Sequence, residues 1–203
     1  ESEHDPFETG HSSTSLSAAM GFAVSRDLSG DDNQIISIIG DGSLSAGMAY
    51  EALNHIGHEQ KNMTINLNEK NMAISKNTGA LSRHLNKIRT APRYTRTKAE
   101  IKNTINGIPL VGESTIQKLD KAKDAIRYML VPGIIFEEMG LKYIGPVDGH
   151  NLEDLIDVLK RVKNFEKPVL LHVITKKGKG YRFAENHPEK FHGVAPFNIK
   201  TGK

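Results

Sequence analysis

The sequence predicts an α/β fold, a parallel sheet flanked by helices. Two short apolar runs, around residues 35–39 and 63–67, are separated by a stretch with helical spacing, and a second helix and strand pair recurs near residues 152–174. Strand, helix, strand within about thirty-five residues is the length of a parallel crossover unit.

Taken in order, residues 12–28 are Ser-rich at the start and then apolar at helical intervals through Leu16, Met20, Phe22, Ala23 and Leu28. This predicts a helix capped by hydroxyls. Ile35 to Ile39 is a β-branched run, broken only by Ser37, that ends at Gly40, as expected of a strand buried on both faces. Helical spacing returns from Ala46 to Ile56, with Met48, Ala52, Leu53 and Ile56 on one side. Met63 to Leu67 reads as a second strand, interrupted on its apolar face by Asn66. Residues 75–112 are rich in Lys, Arg, Thr and Asn, which predicts a partly helical, mobile excursion. Beyond it, Ile116 to Leu130 is amphipathic and Leu141 to Ile144 is a short strand. Leu152 to Val162 is a helix directing Leu155, Ile156, Val158 and Leu159 inward, Val169 to Ile174 is a strong strand, and residues 178–192 read as loop.

The 203 residues are 37% hydrophobic and 25% charged, enough for one core, so residues 1–203 are expected to form a single domain. Zero cysteines exclude a disulfide framework, a thiolate metal site and a cysteine nucleophile. The net charge of +3 is spread over many segments, with one denser cluster at Lys176, Lys177 and Lys179. No recognition helix or aromatic-rich strand accompanies it, so nucleic acid is not an expected partner. No run approaches the roughly 18 apolar residues of a membrane span, and a cytoplasmic protein with no membrane partner is the expectation. The first residue is Glu1 rather than Met, so the chain is expected to be part of a longer protein.

In open parallel sheets ligands sit beyond the carboxyl ends of the strands. Gly40, Asp41, Gly42 and Ser43 follow the first strand, and Asn68, Glu69, Lys70, Asn71 and Met72 follow the second. The glycines let backbone approach a ligand closely, and the helix start that follows offers N–H groups to an anion. Asp41 offers an oxygen to a magnesium ion, which prefers octahedral oxygen ligands. The same Gly-Asp-Gly also suits a tight turn in which Asp41 caps the next helix.

The two loops together resemble the signature of thiamine diphosphate enzymes, in which GDG is followed after nearly thirty residues by a metal-holding Asn. Within that superfamily, Gly10-His11-Ser12-Ser13-Thr14-Ser15, Gly47-Met48-Ala49-Tyr50-Glu51-Ala52, Gly145-Pro146-Val147-Asp148-Gly149-His150 and Thr175-Lys176-Lys177-Gly178-Lys179-Gly180-Tyr181 are similar to the 1-deoxy-D-xylulose-5-phosphate synthase family. The resemblance implies part of a transketolase-like, diphosphate-binding domain. It also implies thiamine diphosphate and Mg2+ as cofactors, and a homodimer joining pyruvate to glyceraldehyde 3-phosphate with loss of carbon dioxide. Carried over by position, it implies Gly10, His11, Ser12, Gly42, Ser43 and Tyr181 at the cofactor, Asp41 and the Met72 carbonyl on the metal, and His192 near the reaction centre. His192 also reads as an ordinary surface residue, His150 as structural, and the lysine cluster as either phosphate-steering or merely solvated.

The sequence departs from the family at one position of chemical weight. The family's usual run is Leu-Asn-Asp-Asn-Glu-Met, and Lys70 stands where its second Asn holds the metal. A protonated lysine has three donors and no acceptor, so it cannot coordinate magnesium. Either Asn71 substitutes after a one-residue shift, or the Lys70 ammonium contacts Asp41 or the diphosphate and replaces part of the cation's charge. Family members also carry about a hundred further residues before this point and two later domains, so the missing parts are expected elsewhere in the chain or on a partner subunit. Two other readings stand beside the synthase: a split transketolase-like subunit, and a degenerate domain that binds without catalysis.

Overall fold

The fold is that of a computed structural model, which describes residues 2–7, 9–70 and 133–203. The expected excursion at 75–112 and the amphipathic stretch at 116–130 lie outside the described residues, as do Asn71 and Met72.

The described elements run α1 (Ser15–Ser29), β1 (Ile36–Gly40), α2 (Asp41–Leu44), α3 (Gly47–Glu59), β2 (Thr64–Glu69), α4 (Ile134–Glu138), β3 (Lys142–Asp148), α5 (Leu152–Val162), β4 (Val169–Ile174) and α6 (Arg182–Asn186). The strands form one four-stranded sheet in the order β1-β2-β4-β3, parallel throughout. This is the predicted class, and its cause is the predicted one: short β-branched runs alternating with helical segments long enough to cross back.

One face of the sheet makes the core. Ile39, Ile65, Leu67, Leu170 and Tyr143 pack with Leu16, Ala19 and Met20 of α1, Leu53 and Ile56 of α3 and Phe136 of α4. Burying a side chain of this size removes apolar area worth about 1.5–3 kcal/mol. Gly57 of α3 is part of the fit, because a Cβ there would lie 1.7 Å from the Met139 carbonyl oxygen. The helix can approach the turn after α4 only if residue 57 has no side chain.

Several expectations fail in physically informative ways. Strand β1 is not buried on both faces: Ile36 and Ile38 are 57% and 66% exposed, because β1 is an edge of the described sheet and its second face is open. In α1 the buried stripe is Leu16, Ala19, Met20, Ala23 and Arg26, while Phe22 and Leu28 face outward. No hydroxyl caps α1: Thr14, at the N-cap, has a helical backbone, and its Oγ1 donates to the His11 carbonyl. In α3 Met48 is exposed and Ala49 takes the inward place beside Ala52, Leu53 and Ile56. Helix α5 has the predicted bounds and is capped by Asn151, whose side chain accepts from the Asp154 N–H. Yet only its Val162 is buried and Ile156 is exposed. The tail read as loop contains the short α6, and Tyr181, Phe183, Phe191 and Phe197 form an aromatic cluster around it.

Candidate functional site

Parallel pairing puts the carboxyl ends of the strands along one edge of the sheet, and the register brings the two informative loops side by side. Gly40 pairs with Asn68, Asn68 with Val173, and Ile174 with Asp148. The Gly40–Ser43 loop, the Asn68–Lys70 end and the lysine-rich loop after β4 therefore occupy neighbouring positions.

Gly40 is extended, and Asp41 is the first residue of the four-residue α2 rather than its cap. A Cβ built at Gly40 would meet nothing within 4 Å, so the backbone there borders open space. Ser45 Oγ donates to the Gly42 carbonyl at 2.6 Å and closes the turn. The segment carrying Gly10, His11 and Ser12 is tied to this turn by Ser13, whose Oγ donates to the Ser43 carbonyl at 2.8 Å. Ser13 holds φ at 72°, a left-handed backbone unusual for a residue with a side chain.

On the other side, the Thr175 N–H donates to the Glu69 carbonyl at 2.8 Å and Thr175 Oγ1 donates to Asn68 Oδ1 at 2.7 Å. The end of β2 is thus bound to the start of the lysine-rich loop. Burial first, and then the charge of Lys70, hold the Lys177 ammonium below its ordinary pKa, so the two cations face one electrostatic environment. Lys177 Nζ also donates to His192 Nδ1. Lys176 Nζ pairs with Glu185, and that contact, with the Gly180 N–H, keeps the Glu185 carboxyl below the usual range.

Of the predicted residues, Gly10, His11 and Ser12 directly precede Ser13, whose hydroxyl reaches the Ser43 carbonyl, while Gly42 and Ser43 lie in the turn after β1, whose last residue pairs with Asn68 of β2. His192 is joined to the lysine-rich loop through Lys177. Tyr181 has its hydroxyl donated to the Ile199 carbonyl at 2.8 Å and its ring in the aromatic cluster. His150 has the structural place expected of it, its Nε2 accepting from the Lys176 N–H at 2.8 Å. Among the described residues no three His, Asp or Glu side chains gather to hold a metal.

Sequence reasoning missed a buried polar row. Glu69 Oε2 lies 2.8 Å from His172 Nε2, and His172 Nδ1 lies 2.7 Å from the Tyr143 hydroxyl, on three adjacent strands. The available signal was His172 itself, the lone polar residue in the apolar run Val169–Ile174.

A family model described as 1-deoxy-D-xylulose-5-phosphate synthase matches residues 1–175. The chain belongs to the 1-deoxy-D-xylulose-5-phosphate synthase family. A synthase of that name from Alkaliphilus oremlandii is 57% identical over 203 residues, covering 100% of this chain and 32% of the relative. One from Caldanaerobacter subterraneus subsp. tengcongensis is 55% identical, covering 100% of this chain and 33% of the relative. The chain thus spans about a third of the length of these 1-deoxy-D-xylulose-5-phosphate synthases and corresponds to their N-terminal part. In fold it is similar to transketolase from Campylobacter jejuni, with a TM-score of 0.52 at 18% identity, covering 87% of this chain and 21% of that one.

Proposed function

We propose that this chain is the diphosphate-gripping part of a 1-deoxy-D-xylulose-5-phosphate synthase that uses thiamine diphosphate to join pyruvate to glyceraldehyde 3-phosphate with loss of carbon dioxide. The observation that carries the reading is the convergence of Gly40–Ser43, the Asn68–Lys70 end and the Ser13-tethered Gly10–Ser12 segment at one sheet edge. When bound, thiamine diphosphate supplies the electron sink for decarboxylation, and the protein supplies placement. The open backbone at Gly40 and the N–H groups of Gly42 and Ser43 suit an anion. Lys70 and Lys177 bring cationic charge to the same edge. His192 Nδ1 accepts from Lys177 Nζ, which ties His192 to the lysine-rich loop. In the complete enzyme, His11 and Ser12 line the cofactor, Tyr181 contacts it from the lysine-rich loop, and the whole is a cytoplasmic homodimer.

Magnesium fits these residues less well. Asp41 offers one carboxylate, but Lys70 occupies the position of a ligand and has no lone pair to give while protonated. We therefore assign Lys70 to the diphosphate as a partial replacement for the metal's charge, with Asn71 and the Met72 carbonyl as the remaining candidate ligands.

Calorimetric titration of the full-length protein with thiamine diphosphate, with and without magnesium, tests both parts. Binding is expected in each condition, with less than about a tenfold loss on removing the metal, equivalent to 1.4 kcal/mol. Lys70→Asn is expected to restore steep metal dependence. Absence of binding overturns the functional reading, whereas tight binding only with magnesium overturns the role given to Lys70. A second reading, an anion-binding domain without catalysis, is favoured by the Lys70 and Lys177 pair; it requires inorganic pyrophosphate to bind as tightly as thiamine diphosphate.

A further inference from the structure

We propose that Glu69, His172 and Tyr143 are positioning residues that hold the cofactor-facing end of β2, an inference that rests on the thiamine diphosphate reading of the site. Glu69 is the last residue of β2 and lies between Asn68 and Lys70. Its side chain turns to the opposite sheet face from that of Asn68, as alternation along a strand requires. It is 3% exposed, and His172 beside it is 0% exposed.

The order of donors in the row starts from Tyr143. Burial, with the charge of Glu69 added, pushes the Tyr143 phenol well above its ordinary pKa, so Tyr143 is neutral and has a proton to donate. It donates to His172 Nδ1 at 2.7 Å. With Nδ1 accepting, Nε2 is the ring nitrogen left to donate to Glu69 Oε2 at 2.8 Å. Each donor meets an acceptor, and the chain of bonds crosses β3, β4 and β2 diagonally.

The surroundings are built to this row. Tyr143 stacks on Phe136 with ring centroids 6.2 Å apart and planes within 5°. Gly145 passes so close that a Cβ would lie 2.5 Å from the His172 carbonyl oxygen. The neighbouring core positions Ile39, Ile65, Leu67 and Leu170 are apolar, and an apolar trio would pack the same space without the desolvation of a carboxylate. What an apolar trio lacks is direction. Hydrogen bonds fix where the Glu69 backbone sits along β4, while Thr175 holds the other face through Asn68 and the Glu69 carbonyl. The end of β2 is therefore clamped from both faces, and Lys70 leaves the clamp in a defined direction. Positioning of this kind acts on affinity through the groups it orients.

The test measures thiamine diphosphate dissociation constants, pyruvate KM and melting temperature of the full-length protein and its variants. Tyr143→Phe keeps the stacked ring and removes the donor; it is expected to raise the thiamine diphosphate dissociation constant about 10-fold, in the range of lost orienting partners. Pyruvate KM is expected to stay unchanged. Glu69→Gln keeps an acceptor for His172 and is expected to retain wild-type affinity, whereas Glu69→Leu loses it. The inference is overturned if Tyr143→Phe and Glu69→Leu bind thiamine diphosphate as the unsubstituted protein does, or if pyruvate KM rises in step with the cofactor constant. Failure of the unsubstituted protein to bind at all removes the reading of the site and this inference with it.

Discussion

Ser13 joins the segment before α1 to the turn after β1. It holds a left-handed backbone, which costs a residue with a Cβ roughly 1–2 kcal/mol, and it does so while its hydroxyl donates to the Ser43 carbonyl. Removing the hydroxyl and removing the strain are separable. Ser13→Ala keeps the strain and loses the bond, so it is expected to destabilise by about 1 kcal/mol. Ser13→Gly loses the bond but relieves the backbone, and is expected to be the milder change in denaturant midpoint; the reverse order would show that the left-handed backbone at Ser13 carries no strain. Asp27 is a second local case. Hydrogen bonds from Arg26 and then Lys61 keep its carboxyl below the usual range. Because the folded pKa is the lower one, this contribution is present above the ordinary aspartate pKa of about 3.9 and lost as pH falls through the folded value. Asp27→Asn should therefore flatten the acid limb of the stability curve, measured by urea unfolding at successive pH values, while a curve unchanged below pH 4 would exclude the pair as its source.

At the scale of elements, β1 has two unlike faces. Ile39 is buried in the core and Ile38 is open. Ile39→Ala is expected to cost about 2–5 kcal/mol and Ile38→Ala within about 0.5 kcal/mol, compared by equilibrium denaturation. Equal losses would mean that the open face is covered in solution. The same strand marks what the sequence could and could not tell. A β-branched run ending at Gly-Asp-Gly identifies a strand and the loop that leaves it, because both are local properties of the chain. Whether its second face is covered depends on its place in the sheet, which no local pattern encodes. Met48, Phe22 and Leu28 were misassigned for a related reason: helical periodicity defines a stripe, but the neighbouring element selects its centre, and Ala49 and Ala19 lie on the buried side. The Gly40–Ser43 loop was legible as the exit of a strand because glycine at a strand end marks a break in the run. The row through His172 was not, because its members lie 29 and 103 residues from their partners and only the β3-β4-β2 pairing joins them.

The whole molecule raises a question of sufficiency. The chain matches a third of its relatives, and covalent chemistry on a bound cofactor needs both of its rings held. Residues 1–203 alone are expected to bind thiamine diphosphate with negligible synthase turnover, and measurable conversion of pyruvate and glyceraldehyde 3-phosphate by the pure chain would refute this. That outcome would make affinity and turnover separate properties of separate stretches of polypeptide. That separation gives a different meaning to the contact at Gly57. Helix α3 is a rod running from Gly47, just past the Gly40–Ser43 turn, to Glu59, and at about 1.5 Å per residue positions 47 and 57 stand about 15 Å apart. A methyl group at residue 57 would act as a wedge under the far end of that rod. Its near end would tilt with it, so a substitution remote from every candidate ligand becomes a way to misalign the grip without touching it.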